Sequence, residues 1–128
     1  MATPVVVTTR VLVEVRLAVP GFHAWPEAPQ DSPIGFLASK HRHTFHIRAR
    51  IAVAHQDRDL EFIMLKRQIH GHLESSCVRA PSGGFEFGSM SCEMLATELL
   101  HYLRNCGFRV TEVGVSEDNE FEGIVQVG

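Results

Sequence analysis

The run from about His41 to His55 alternates between two kinds of residue. Phe45, Ile47, Ala49, Ile51 and Val53 fall on one side, and Arg42, Thr44, His46, Arg48 and Arg50 on the other. A period of two makes a half-buried strand; wound as a helix, the same residues would scatter around its surface. The apolar face of this strand opens with His41 and His43, which lie two apart and so share one side of a sheet. Val11, Val13, Val15, Leu17 and Val19 alternate in the same way, with Glu14 and Arg16 between them, and predict an earlier strand. Pro20-Gly21 and Phe22-His23-Ala24-Trp25 follow it, and then a loop from Pro26 to Pro33 with three prolines.

The rest of the chain changes period. Phe62, Leu65, Ile69 and Leu73 recur at helical spacing, so Glu61 to about Leu73 reads as a helix. A loop rich in Gly and Ser runs from Ser75 to Ser89. Ser91 is a good N-cap for a second helix, with Glu93 in its first turn and Met94, Leu95, Leu99 and Leu103 as its apolar stripe. Gly107 is a suitable stop. Strands at Arg109 to Ser116 and about Gly123 to Val127 close the chain. At 128 residues, 45% of them hydrophobic, this order fits one α+β domain spanning residues 1–128. The expected architecture is a four-stranded antiparallel sheet, ββααββ, with both helices on one face. Such a sheet has two open edges, so association into a homo-oligomer is expected.

Charge excludes some functions. With 12 basic and 15 acidic residues the net charge is −3, which provides no basic stripe for nucleic acid and no polybasic segment for a membrane surface. The stretch from Met1 to Val19 is broken by Arg10, Glu14 and Arg16, so it is not a signal-peptide core, and a cytoplasmic protein is expected. Cys77, Cys92 and Cys106 are odd in number and contain no C-x-x-C pair, which argues against a disulfide framework and a thiolate zinc knot.

Histidine is over-represented, with eight residues. Neutral imidazole is a good zinc ligand, and a catalytic zinc takes three protein ligands and an open position. His41 and His43 make two; His23 makes a third if its strand pairs with theirs near these ends. His46 points to the other sheet face, His55 sits at a turn, His70 and His72 do not share a helix face, and His101 is expected to be exposed.

These residues fall into a larger ordered set: Phe22-His23, His41-Arg42-His43-Thr44-Phe45, Glu61-Phe62-x-x-Leu65-Lys66, Ser91-x-Glu93-x-Leu95-Ala96 and Val115-Ser116-Glu117. The set resembles the 6-pyruvoyl-tetrahydropterin synthase and 6-carboxy-tetrahydropterin synthase family, whose fold is called the tunnelling fold. That family carries a strand-borne His, then H-G-H, D-F-x-x-L-K, P-T-x-E-N-L-A and V-x-E-T in the same order. The resemblance implies zinc on His23, His41 and His43. It implies that Glu117 anchors the 2-amino edge of a pterin or purine-like small molecule, because a carboxylate accepts two N–H bonds from such an edge. It also implies trimers that close a barrel, commonly stacked as hexamers, with sites between subunits.

The departures bear on chemistry. The family's cysteine, about four residues before H-G-H, is Leu37 here, and its Asp-His pair falls on Cys77-Val78. Cys77 and His72 lie near that lost pair in sequence and are candidate substitutes for a catalytic group. Three functions follow as expectations: a zinc-dependent lyase of the pterin type, a non-catalytic module that binds or sequesters a pterin or purine, and an assembly protein on the same fold. Arg42, Arg48 and Arg50 on one strand face are a candidate phosphate-binding or interface row.

Overall fold

The central feature is a long antiparallel pair, β1 (Val11–His23) with β2 (His41–Val53). In the computed structural model, which describes residues 3–128, the two run in unbroken register from Val11 opposite Val53 to His23 opposite His41. Met1 and Ala2, the start of the stretch read above as no signal core, lie outside the described residues. β1 therefore continues past Val19, through Pro20 and Gly21, and ends on His23. Proline is tolerated in a strand at a sheet edge, and at Pro20 β1 has a partner on its β2 side only.

Helices α1 (Phe62–Ser76) and α2 (Cys92–Asn105) cover the apolar side of the sheet. Leu65, Ile69 and Leu73 of α1, with Leu95, Leu99 and Leu103 of α2, join Val15, Leu17, Val19, Phe45, Ile47 and Ile51 in one core. Each fully buried aliphatic side chain of this kind stabilises the fold by about 1.5–3 kcal/mol. The Ser91 hydroxyl caps α2 by accepting from Met94 N at 3.1 Å, and the Glu61 carboxylate caps α1 by accepting from Met64 N at 3.0 Å. Gly107, with φ +95°, ends α2. Two apolar residues expected in the stripes are exposed instead: Phe62, and Met94, which lines a cleft described below.

β5 (Arg109–Glu117) pairs with the other side of β2, with a bulge at Arg50/Ile51, and β6 (Phe121–Gln126) pairs with β5. Their hairpin turns on Asp118 and Asn119, both at positive φ (53° and 60°), with Glu120 N donating to Glu117 O at 3.0 Å. This is a type I′ arrangement, whose twist matches that of paired strands.

The α+β class with two helices stands, but the four-stranded antiparallel sheet is corrected to a six-stranded mixed one, in the order β3-β4-β1-β2-β5-β6. The additions are β3 (Val78–Arg79) and β4 (Phe85–Glu86), from the segment expected to be a plain loop. β4 runs parallel to β1 at Gly21 and Phe22. Phe85 and Phe87 are buried, and burying these rings draws the segment onto the end of β1. No described helix is long and apolar enough to cross a membrane.

The polar face of the sheet is cross-linked by charge. Arg48 donates to Glu112 and to Glu122, and Arg50 donates to Glu14 at 2.6 Å. The Gln126 amide and the Arg48 guanidinium hold the Glu112 carboxyl below its usual range, and Arg50 does the same for Glu14. Arg48 and Arg50 are thus engaged within the chain and do not form a free phosphate-binding row.

Two outcomes follow. A carboxyl whose folded pKa is depressed contributes stability above its ordinary value, about 4.3, that is lost as pH falls through the folded value. Thermal melts should therefore fall below about pH 4, and less steeply in Glu112→Gln. A Cβ on Gly21 would lie 2.5 Å from Phe87 Cε2 and 2.8 Å from Phe45 Cδ2, both on buried rings. Gly21→Ala should cost about 1–3 kcal/mol in urea unfolding, the usual penalty for overpacking.

Candidate metal centre

The register of β1 and β2 decides where the histidines meet. His23 is directly opposite His41, and Gly21 is opposite His43, so the three imidazoles rise from one corner of the sheet. Their ring centroids are 4.6 Å (His23–His41), 5.4 Å (His23–His43) and 5.0 Å (His41–His43) apart. Below them Phe45 packs edge-on against His23 at 5.1 Å and against Phe87 at 4.9 Å. The missing side chain of Gly21 makes room for these rings.

One ring nitrogen from each histidine lies within 4.8 Å of the others, compared with about 3.3 Å between ligands of a tetrahedral zinc with Zn–N bonds of about 2.0–2.1 Å. The other nitrogen on every ring is already committed. His23 Nδ1 donates to Met90 O at 2.9 Å, His41 Nδ1 to Ser39 O at 2.8 Å, and His43 Nδ1 to Asp118 Oδ2 at 2.6 Å. In the neutral ring an oxygen on Nδ1 leaves Nε2 as the lone-pair nitrogen, which is the arrangement around metal-binding histidines generally. His43 Nε2 is buried without a hydrogen-bond partner. A buried lone pair left in this way is costly unless a cation fills it. The donor set therefore fits a divalent metal that accepts imidazole, zinc among them.

Asp118 does two things. Oδ2 accepts from His43, and Oδ1 accepts from Thr44 N at 2.9 Å, which fixes the hairpin tip to β2. These two donors hold its carboxyl below the usual range. Nothing in the sequence singles Asp118 out, since it sits in a run of acids that reads as solvated.

Glu117 faces the cluster from β5. Its Oε1 is 3.1 Å from His23 Nε2 and its Oε2 is 3.6 Å from His43 Nε2. The Cys92 thiol, at the start of α2, donates to Glu117 Oε1 across 3.6 Å. Burial and the adjacent Glu117 push the Cys92 thiol up to about 12, so it stays protonated at neutral pH. Beside these groups opens a cleft of about 480 Å³ lined by His23, His41, Glu117, Trp25, Met94 and Phe121, among others. Leu37, at the place of the family's cysteine, is also on its wall.

Cys77 and His72 are not among the residues lining that cleft. His72 Nε2 contacts Glu98 Oε1 at 2.7 Å and its ring stacks on Tyr102 at 3.7 Å, between the helices. Cys77 caps the end of α1, and burial raises its thiol pKa. All three cysteines are free.

No protein-family profile matches the sequence, and no curated protein does. Among solved structures, the chain is similar to an uncharacterized protein from Wolinella succinogenes. The TM-score is 0.68 at 13% identity, over 94% of this chain and 100% of that one. A likeness at that identity extends to the fold alone.

Asp118→Asn isolates the outer support of the centre. Asparagine tolerates positive φ, so the turn survives, but one acceptor must now serve both His43 and Thr44. Affinity for zinc should fall by about tenfold or more, the usual cost of losing such a support, in competition with a chromophoric chelator.

Proposed function

We propose that the chain binds zinc on His23, His41 and His43 and holds a flat nitrogen heterocycle, of pterin or purine type, in the adjoining cleft. The observation that supports this most is the orientation of the three rings. Every Nδ1 meets an oxygen, and one nitrogen from each ring lies within 4.8 Å of the others at one corner of the sheet. Trp25, Met94 and Phe121 supply apolar walls for a ring, and Glu117 supplies a carboxylate for its N–H edge. Bound zinc supplies Lewis acidity, polarising a carbonyl or activating a water. The runs that resemble the tetrahydropterin synthases support the same reading, including assembly as a trimer or hexamer, for which the part of β1 that β4 leaves unpaired and β6 offer strand edges.

A second reading, binding without turnover, is favoured by what stands at the places of the family's acid/base groups. Leu37 has no proton to give or take, and Cys77 and His72 lie outside the cleft. Proton transfer next to a carbonyl requires a positioned acid or base within hydrogen-bond reach; the thiol beside Glu117, Cys92, is held neutral, and Glu93 and Glu122, which also line the cleft, stand at neither of the two places.

Native mass spectrometry of the purified protein tests these together. The expected result is one zinc per chain in a trimeric or hexameric assembly, with zinc lost in His41→Ala/His43→Ala. A metal-free monomer that keeps its melting temperature when zinc is added overturns the reading. Calorimetry on the zinc-loaded protein should show pterin binding that Glu117→Gln weakens. Turnover of dihydroneopterin triphosphate would decide for the lyase over the binding module.

A further inference from the structure

Glu117 stands out within this site because of what it touches. A carboxylate that only anchored a ring would need its oxygens free toward the cleft. Here each oxygen instead faces a different imidazole: Oε1 lies against His23 Nε2 at 3.1 Å, and Oε2 against His43 Nε2 at 3.6 Å. With both Nδ1 atoms donating elsewhere, each Nε2 can meet its carboxylate oxygen only by carrying a proton of its own or by sharing a cation with it. Such an approach is repulsive unless a positive charge lies between the nitrogens and the oxygens. His43 Nε2, buried and without a hydrogen-bond partner, is aimed into the same space. The Cys92 thiol donates to Oε1 across 3.6 Å and adds a contact that holds the carboxylate in that position.

We infer that Glu117 is the fourth protein ligand of the metal, completing a set of three histidines and one glutamate with His23, His41 and His43. The inference rests on the metal reading above and changes its consequence. Three histidines alone leave an open coordination position, whereas four protein ligands close it. A ring's N–H edge and the metal then compete for one carboxylate.

The test uses cobalt(II) alone on the purified full chain, followed by its visible absorption, with azide as an exogenous ligand. Wild-type protein should bind cobalt and keep its spectrum as azide is added. Glu117→Gln should bind cobalt at least about tenfold more weakly, since losing even an outer support costs that much. Its spectrum should shift at azide concentrations that leave the wild type unchanged. Equal cobalt affinity and equal azide response in the two proteins would overturn the assignment while leaving the three-histidine site standing. A wild-type protein that takes up no cobalt would overturn both. Should Glu117→Gln fail to fold by circular dichroism, the wild-type titration decides by itself: an azide-shifted spectrum means the fourth position is open and Glu117 is not a ligand.

Discussion

The residue-by-residue pairing of β1 with β2 is the constraint on which the rest depends. It places the apolar side chains of both strands on one face for the helices to cover. It also carries His23 into line with His41 at the far end. Slipping the register by one residue would turn every side chain of one strand to the opposite face. The core and the histidine cluster would be lost together, so hydrophobic burial and the geometry of the cluster depend on one and the same register. The histidine cluster sits on the buried rings of Phe45 and Phe87, and the room for those rings comes from the absent side chain of Gly21.

Much of this is legible in the sequence, because periodicity reports which face a residue occupies. The alternation from His41 onward places His41 and His43 together, and the helical spacing of Leu65, Ile69 and Leu73 identifies α1. What periodicity cannot report is where a strand stops when its last residues are Pro, Gly, Phe and His. The extension of β1 to His23 is stabilised by pairing with β2 and by the short β4, both nonlocal. Strands of two residues such as β3 and β4 contain too little pattern to announce themselves. The oxygens on the Nδ1 atoms are equally hidden, since two of the three are backbone carbonyls, which no side-chain pattern encodes.

The resemblance to the tetrahydropterin synthases and the geometry contribute different things. The ordered motifs nominate His23 as the third ligand, and the strand register shows how it arrives. The departures at Leu37 and at Cys77-Val78 concern proton transfer, and they leave the imidazole cluster untouched. The two sets are physically separate, because the imidazole cluster comes from the β1–β2 pair while the departures lie in a loop and at a helix end.

The β5–β6 turn has a consequence for how much this hairpin can vary. Successive residues on a strand point to opposite faces, so neighbours in sequence do not ordinarily reach the same side chain. Glu117 and Asp118 both reach His43, one from each side of its ring. They do so because Asp118, at φ 53°, has left the extended conformation just as β5 ends. The length of the loop is therefore part of the binding chemistry. One residue inserted or removed between Glu117 and Phe121 would shift the point at which alternation breaks, and His43 would keep one carboxylate at most. A surface hairpin, usually the most permissive place in a domain for length change, is here as constrained as the core.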